Sequence, residues 1–290
     1  MPQKRWTATQ PGPLLSSLFL AWPEQKKKQI RTWLKFQAIT VNGRPVSQFD
    51  HPLRPGDTVA VRSDRFATPK TRLSSGLKIY FEDTHLLVVE KPEGLLSISS
   101  PAEPEKTAYF QLTEYLRHKH PRSRERVWIV HRLDRETSGL MVFAKTAPAK
   151  EVLQASWNSF EKRYEAVVEG RLPVQAGVLE SDLDESNPHH VHVRPKSPRT
   201  RHAITHYRVL KTSPQFSLVE LTLETGRRHQ IRVHLAHAGC PVVGDKKYEA
   251  KTDPAGRLGL HASSLRFRHP VTGAELYFTS PLPKALGRLV

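Results

Sequence analysis

The carboxylate of Asp134 is the group in this chain best placed to do chemistry, because it lies between two arginines, Arg132 and Arg135. Nearby positive charge favours the ionised form of a carboxylic acid. Residues 140–144 are apolar and predict a strand. The loop that carries Asp134 ends at Gly139 and leads directly into this strand. A fixed, ionised carboxylate on such a loop is a candidate nucleophile or base. The alternative is a solvated aspartate–arginine pair that caps a turn.

A second candidate is Tyr164, which lies in the alternating stretch of residues 163–168 that predicts a strand. Ala166 and Val168 share its face, so packing in a half-buried sheet is one interpretation. A functional tyrosine would instead offer a flat ring to a base and a hydroxyl for proton transfer. The residues alone leave both interpretations open.

A third candidate region is residues 225–234, where Gly226 ends a predicted strand and a helix follows, closed by Gly239. Arg228 and Arg232 are four residues apart, so we expect them on one face of that helix near its N-terminus. Two guanidinium groups at the positive end of a helix dipole attract an anion. That anion is either a phosphate or a protein carboxylate, and Asp134 is a candidate.

The composition indicates a partner that carries negative charge. The 290 residues have a formal net charge of +17, and residues 1–75 hold 13 Lys and Arg against 4 Asp and Glu. The single cysteine, Cys240, excludes an internal disulfide and a cysteine-rich zinc site, and it suits a reducing compartment. No apolar run approaches the ~20 residues that span a bilayer, and the first residues lack a signal-peptide core. We expect a cytoplasmic nucleic-acid protein, with a basic membrane-surface protein as the alternative.

The periodicity of the chain predicts more strands than helices, and the two do not alternate regularly. Strands are predicted at residues 79–81, 86–89, 127–130, 163–168, 202–210 and 218–223, and helices at 108–119 and 148–160. This pattern favours an α+β fold with a large catalytic domain built on a mostly antiparallel mixed β-sheet with flanking helices. We expect that domain over residues 77–290, after a linker at 63–76 and a small α/β domain at 1–62.

The N-terminal residues predict a basic helix followed by a hairpin. A helix over residues 24–36 would bury Ile30, Trp33 and Leu34 and terminate before the tight turn Asn42-Gly43. Clustered cations on one helix are typical of phosphate binding, although a solvated face is the alternative. The cations expected to contact RNA are Lys27, Lys28, Arg31 and Lys35.

Over roughly residues 12–62, this helix and hairpin resemble the small RNA-binding domain named after ribosomal small-subunit protein S-four. The matching residues are Val41-Asn42-Gly43 and Pro55-Gly56-Asp57. The resemblance implies that the module binds structured RNA through its shape and phosphates rather than its base sequence.

The rest of the chain, over about residues 77–283, resembles the RluA family of RNA pseudouridine synthases. The matching blocks keep the family's order and nearly its spacing. They are Glu90-Lys91-Pro92 with Gly94; His131-Arg132-Leu133-Asp134 with Thr137-Ser138-Gly139-Leu140; Ala144-Lys145-Thr146; Lys162-Arg163-Tyr164; Glu169-Gly170; Thr225-Gly226-Arg227 with His229-Gln230-Ile231-Arg232-Val233-His234; Gly244-Asp245 with Tyr248; Leu260-His261-Ala262; and His269-Pro270 with Thr272-Gly273.

Position by position, the resemblance implies that Asp134 is the catalytic aspartate. It also implies that Tyr164 stacks on the target uracil and handles a proton, and that Arg232 pairs with and orients Asp134. We further expect the charge that keeps Asp134 ionised to come mainly from Arg232. The residues expected to bind the substrate are Arg132, His131, Leu260 and Arg228.

The implied reaction requires few groups. The uracil detaches from the ribose at nitrogen-1, turns and reattaches through carbon-5, with one carboxylate acting at the sugar as nucleophile or base. Arg132 would push into the RNA as the base leaves its stack, and Leu260 would pack under it. The chemistry needs no cofactor and no metal, so we expect none. We expect structured RNA as the partner, ribosomal RNA first and transfer RNA second, and a monomer.

Three other classes of protein fit parts of the sequence. A metal hydrolase could use one of two histidine clusters, but the first lies in a proline-rich polar loop and the second has no carboxylate that completes a helical metal-binding pattern. A glycosidase would need paired carboxylates, and Asp182 with Asp184 is the nearest pair. A non-catalytic RNA-binding or assembly protein is the main alternative, but binding alone does not require Asp134 in a basic groove. The two histidine clusters are His189, His190 and His192, and His229, His234 and His237.

Two departures from the family pattern bear on the substrate rather than on activity: residues 197–203 differ from the usual approach to their strand, and the helix between Ala144-Lys145-Thr146 and Tyr164 is slightly short. Cys240 stands where many relatives have histidine, a change that we expect to have little effect.

Overall fold

A computed structural model describes residues 4–35, 39–46, 48–61, 71–73, 75–98, 103–119 and 126–290 of the chain. The chain divides into two compact units. One comprises Met1–Phe66 with Phe267–Phe278, and the other comprises Ala67–Arg266 with Thr279–Val290.

The N-terminal residues form two helices against a four-stranded antiparallel sheet of order β1-β6-β3-β4, with a two-stranded ladder of β2 and β5. Leu14, Leu18, Ile30 and Leu34 are buried and form a core with residues of the strands. The elements are β1 (Arg5–Thr7), β2 (Gly12–Pro13), α1 (Leu14–Ala21), α2 (Lys27–Lys35), β3 (Ile39–Val41), β4 (Arg44–Val46), β5 (Pro52–Leu53) and β6 (Thr58–Val61).

The hairpin predicted at Asn42-Gly43 is present between β3 and β4, and both residues have positive φ, 50° and 80°. The basic helix begins at Lys27 rather than at residue 24, because the chain first turns at Gln25, whose amide bonds to the carbonyl of Trp22. Residue 36, the predicted end of the helix, lies outside the described residues.

The larger unit is built on one mixed sheet that is almost entirely antiparallel, which confirms the predicted α+β class. Its order is β14-β13-β15-β16-β12-β17-β11-β9-β8-β7, with β10 beside β11. The pairing of β11 with β17 is parallel. The first elements are β7 (Thr71–Arg72), β8 (Lys78–Glu82), β9 (Leu86–Lys91), α3 (Ala108–Lys119), β10 (Trp128–Ile129), β11 (Ser138–Ala144), α4 (Ala147–Ala155) and β12 (Glu161–Glu169).

The remaining elements follow β12 in the chain. They are β13 (Ala176–Asp184), β14 (His192–Val193), β15 (Thr200–Thr212), β16 (Phe216–Leu223), α5 (Gln230–His237), β17 (Leu260–Arg268), β18 (Glu275–Thr279) and α6 (Lys284–Gly287). Strands β12, β15 and β16 pack one core against α5, whereas β8, β9 and β11 pack another against α3. Tyr164 contacts both cores.

Two predicted elements have different limits in the structure. The helix predicted over 148–160 ends at Ala155, where the Ser156 hydroxyl bonds to the carbonyl of Val152, and a 3₁₀ turn at Trp157–Ser159 follows. Within the predicted linker, residues 63–70 and 74 lie outside the described residues, whereas Thr71–Arg72 form β7 and pair with β8.

Candidate active site

The loop that carries Asp134 is held by the side chain of Lys91 in β9 and by the turn after it, where the Gly94 amide donates to the carbonyl of Arg135 at 2.9 Å. It runs from β10 to β11, and the buried ammonium of Lys91 donates to the carbonyls of Pro92, Leu95 and Arg135 at 2.9, 2.7 and 3.0 Å. Burial lowers the pKa of Lys91 to about 7, although the negative charge of Asp134 opposes the shift. Lys91 therefore ties the turn at residues 92–95 to the loop at Arg135.

A close strand contact fixes the other end of the loop. Gly139 lies in β11 with φ of +120°, and a Cβ there would come within 2.3 Å of the carbonyl oxygen of Ala262 in β17. Only glycine permits this approach. The contact places Asp134 beside the N-terminal end of β17, where Leu260 begins the strand.

The carboxylate of Asp134 shares a buried guanidinium with a second acid, Asp245. Nη1 of Arg232 lies 3.3 Å from Oδ2 of Asp134, while Nε and Nη2 donate to the two oxygens of Asp245 at 2.7 Å each. Asp245 is fully buried, whereas the Asp134 side chain keeps 20% of its exposure. Arg232 is therefore anchored by Asp245, which leaves one amino group for Asp134.

The balance of burial and charge keeps Arg232 protonated. Burial alone would lower the pKa of its guanidinium, but the hydrogen bonds and charge of Asp245, with the charge of Asp134, outweigh burial and raise it. A third carboxylate, Glu136, is 3.7 Å from Nη1 of Arg232 and is half exposed. The positive charge of Arg232 is thus divided among three carboxylates.

Tyr164 lies where the pairing of its strand with β17 is irregular. Arg163 pairs with Ser264 and Glu165 with His261, so β17 has one extra residue opposite Tyr164 and carries the bulge. Burial raises the pKa of the tyrosine hydroxyl, and the negative charge of Asp134 adds to the shift. Tyr164 lies together with Asp134 among the residues that line one cleft. A neutral hydroxyl is therefore available to a bound molecule.

These side chains line a cleft of about 190 Å³, named here the Asp134 cleft. Its volume is below the roughly 300–1,000 Å³ of sites for drug-sized ligands, so it suits one small ring. The lining combines an apolar wall with basic groups at the opening. It consists of Arg132, Leu133, Asp134, Thr137, Tyr164, Leu223, Gly226, Arg227, Arg228, His229, Gln230, Ile231, Arg232 and Leu260.

The sequence of this region matches a known protein family. Residues 85–237 match the family model described as RNA pseudouridylate synthase. The chain belongs to this family. The synthase is 32% identical over 301 residues to ribosomal large subunit pseudouridine synthase D of Yersinia pestis, covering 95% of this chain and 88% of the relative. It is 35% identical over 287 residues to the uncharacterized RNA pseudouridine synthase YlyB of Bacillus subtilis, covering 94% and 91%.

The solved structures agree with the family assignment. The synthase superposes on human RNA pseudouridylate synthase domain containing 4 with a TM-score of 0.61 and 26% identity, over 72% of this chain and 90% of that one. Within the described part of the synthase, no helix is long and apolar enough to cross a membrane.

His131 lies outside the Asp134 cleft, contrary to its expected place among the substrate-binding residues. Its ring stacks on Trp157 at 4.1 Å, and its Nε2 accepts from the amide of Val142 at 3.1 Å. Val142 lies between the segments of β11 that pair with β17 and β10, so the imidazole takes the place of a missing strand partner. Burial lowers the pKa of His131 to about 3, which keeps it neutral.

The prediction that Arg228 and Arg232 share a helix face is wrong. Helix α5 begins at Gln230, and His229 before it has a left-handed backbone, so Arg228 lies outside the helix. Its guanidinium donates to the carbonyls of Glu185, Asn187 and Pro188. Arg228 lines the cleft and also holds this loop, because both terminal amino groups of its guanidinium donate to protein carbonyls.

The other expected substrate contacts lie at the cleft. Arg132 is exposed at the opening, and Leu260 is buried in the wall. In the N-terminal unit, Lys27 and Arg31 lie over the ring of Phe19 at 5.6 and 5.5 Å. Lys28 is in the same helix, and the side chain of Lys35 lies outside the described residues.

The sequence interpretation assigned no role to two residues around Asp134. Asp245 anchors Arg232, and Tyr248 bonds through its hydroxyl to Nδ1 of His229 at 2.8 Å. Asp245 and Tyr248 belong to a block that matches the family, and this match was the signal in the sequence that could have identified them. Their partners, Arg232 and His229, are 13 and 19 residues away, so no local pattern indicates the contacts.

The sequence also suggested two alternative kinds of site, a histidine metal site and a pair of carboxylates. Among the described residues, no group of three or more His, Cys, Asp or Glu is arranged to hold a metal ion. Asp182 and Asp184 lie in strand β13, and Asp182 is 3.7 Å from Nδ1 of His202.

Proposed function

We propose that the synthase isomerises uridine in ribosomal RNA and that Asp134 is the carboxylate that acts at the ribose. The geometry of Arg232 carries this assignment. A buried arginine, anchored bidentately by Asp245, directs its remaining amino group at a partly exposed carboxylate inside a base-sized cleft. A structural ion pair would not require the second carboxylate to face an open cleft.

The ring of Tyr164 and the side chain of Leu260 would hold the detached uracil. Both lie in the wall of the Asp134 cleft, and stacking on the tyrosine offsets part of the free energy of taking a base out of its helix. The hydroxyl of Tyr164 stays protonated and is available for proton transfer. Exposed Arg132 at the opening would enter the RNA where the base leaves. The geometry fits Asp134 either as nucleophile or as base.

The choice of ribosomal RNA rests on the relatives named as ribosomal large subunit pseudouridine synthases. Transfer RNA is our second choice, and we keep a monomer in the cytoplasm as the expectation. The N-terminal unit would act as an S-four-like RNA-binding module. Its hairpin and the cations Lys27 and Arg31 beside Phe19 support that assignment. We also assign His131 and Arg228 to positioning the loops around the cleft.

Pseudouridine mapping tests this proposal. Stable RNAs from cells that lack the gene are compared with RNAs from cells complemented with wild type, Asp134→Asn or Asp182→Asn. We expect one or a few ribosomal sites to disappear on deletion and to return with wild type and with Asp182→Asn. Return with Asp134→Asn would refute the catalytic assignment. Sites confined to transfer RNA would refute the ribosomal assignment, and no change at any site would favour a binding protein.

A further inference from the structure

His229 has a strained backbone and directs its ring at the Asp134 cleft. Its φ is 52° and its ψ is 16°, and it occupies the N-cap position of α5 without making a side-chain cap. A left-handed backbone conformation is uncommon for residues other than glycine, and the residues that adopt it are found preferentially at functional sites. Neighbouring bonds hold the turn, since Gln230 Oε1 accepts from the Arg227 amide and the Thr225 hydroxyl.

The hydrogen bonds of Tyr248 determine the tautomer of His229. The Tyr248 hydroxyl accepts the amide hydrogen of Val191 at 3.1 Å, and within the described residues its own proton has one acceptor, His229 Nδ1 at 2.8 Å. Nδ1 is therefore an acceptor, and the ring hydrogen is on Nε2. Burial lowers the pKa of His229 to about 4, against the opposing charge of Asp134. The ring is thus a neutral donor.

The hydrogen on Nε2 faces the oxygen of Asp134 that Arg232 does not contact. Nε2 lies 3.9 Å from Oδ1, whereas Arg232 contacts Oδ2. This distance is too long for a direct hydrogen bond. A single oxygen atom can bridge it with two bonds of about 2.8 Å that meet at roughly a right angle. That oxygen must accept a hydrogen from His229 and donate one to Asp134.

A hydroxyl group has both properties, and the carbonyls and the N3–H of uracil each have only one. A uridine inside an RNA strand has one free hydroxyl, the 2′-hydroxyl of its ribose, and this group distinguishes RNA from DNA. We propose that His229 and Asp134 together bind the 2′-hydroxyl of the target uridine, which makes His229 a specificity-determining residue. The proposal rests on the proposed catalytic role of Asp134.

The test compares two substrates with three forms of the protein. A ribosomal RNA fragment, assembled by ligation around the mapped uridine, carries either ribose or 2′-deoxyribose at that one position. Single-turnover rates of pseudouridine formation are measured for wild type, His229→Asn and Tyr248→Phe. Asparagine adopts the left-handed conformation readily, so it removes the ring and retains the backbone. Phenylalanine retains the ring of residue 248 and removes the hydroxyl that orients His229.

We expect wild type to prefer the ribose substrate and His229→Asn to reduce that preference by about tenfold or more, the effect of removing one hydrogen bond. Tyr248→Phe should reduce it by less. The loss on the ribose substrate should appear in the maximal single-turnover rate more than in the protein concentration that gives half of that rate, because the hydroxyl lies beside the reacting carboxylate. An equal loss on both substrates, or a wild type without preference, would overturn the proposal.

Asp134→Asn is measured in the same assay on the ribose substrate. If that variant remains active, the catalytic assignment fails, and the proposal for the 2′-hydroxyl fails with it. If Asp134→Asn is inactive while His229→Asn keeps the full preference for ribose, only the role of His229 is wrong. Melting temperatures of the variants identify any loss of activity that comes from misfolding.

Discussion

At the scale of single residues, the site depends on an arginine held between two acids. Asp245 is buried and bidentate, so it fixes the position from which Arg232 reaches Asp134. The sequence placed Asp134, Tyr164 and Arg232 in one set through resemblance, and the structure brings all three to one cleft. It did not indicate Asp245 as the stronger partner of Arg232, because a pairing between side chains on separate elements leaves no local pattern.

Replacing Asp245 with asparagine should damage both stability and activity. It leaves the Arg232 guanidinium buried without its main counter-charge, a change that typically lowers the free energy of unfolding by about 3–5 kcal/mol. Activity should fall by about tenfold to a hundredfold, because Arg232 no longer holds its position. Denaturant unfolding and single-turnover rates measure the two effects.

Glu136→Gln is the matched comparison for stability, since Glu136 also contacts Arg232 but is half exposed. It should change the free energy of unfolding by no more than about 0.5 kcal/mol. Similar losses of stability in both variants would show that Asp245 is not the anchor.

At the scale of elements, the site is placed by loops whose two ends are fixed to the sheet. A comparison of the predicted and observed ends of the helices shows where the local sequence was sufficient to predict an element. Residues 108–119 were predicted to the residue because their pattern is uninterrupted, whereas α4 ended early where Ser156 bonds to its own turn. Helix α5 began later than predicted, because the left-handed backbone of His229 separates Arg228 from it. Such a conformation in a non-glycine residue depends on tertiary contacts that periodicity does not report.

Gly139→Ala should be severely destabilising. A methyl group there would lie 2.3 Å from the Ala262 carbonyl oxygen, and φ of +120° is unfavourable for alanine. We expect a loss of several kcal/mol in the free energy of unfolding, with β11 and β17 forced apart. Chemical denaturation measures it, or soluble expression does where the variant fails to fold.

Gly94→Ala provides the control, because Gly94 also has positive φ, +78°, but a Cβ there meets nothing within 4 Å. Gly94→Ala should lower the free energy of unfolding by only about 1 kcal/mol, the effect of placing alanine in a left-handed backbone conformation. Equal losses at the two positions would mean that the approach of β11 to β17 is not what requires glycine.

The basic helix α2 gives the second prediction at this scale. Replacing Lys27 and Arg31 with alanine should weaken RNA binding and lower the slope of log affinity against log salt by roughly 2, about one for each phosphate that the cations neutralise. Titrations of ribosomal RNA at several salt concentrations measure the slope. An unchanged slope would place these cations away from the RNA.

At the scale of the whole molecule, the formal charge of +17 and the mostly antiparallel sheet were both accessible from the sequence. Composition and the excess of strands predicted the fold class. The order of the strands was not predictable, because β11 pairs with β17 although Ser138 and its partner His261 are far apart in the chain. The cleft lies between two cores that only this order brings together.

The synthase should lose stability in acid through its buried histidines. Burial lowers the pKa of His131 to about 3 and the pKa of His229, His234 and His261 to about 4, below the value of about 6.5 expected when unfolded. The unfolded chain therefore binds more protons between pH 6.5 and about 4. Stability is complete above pH 6.5 and falls as the pH drops, by about 2 kcal/mol per histidine between pH 7 and 5.

Denaturant unfolding from pH 7 to 5 measures this loss, and His131→Gln should reduce its slope by about one proton because glutamine cannot be protonated. The same slope in His131→Gln as in wild type would mean that His131 is already protonated in the fold.

The most direct test of the central claim is the single-turnover conversion of uridine by Asp134→Asn. Purified wild type, Asp134→Asn and Asp182→Asn are each incubated in excess with ribosomal RNA from cells that lack the gene, and pseudouridine is measured by mass spectrometry. We predict full conversion by wild type and by Asp182→Asn, and no product from Asp134→Asn although it still binds the RNA. Conversion by Asp134→Asn at a rate within about tenfold of wild type would contradict the assignment of Asp134 as the catalytic carboxylate.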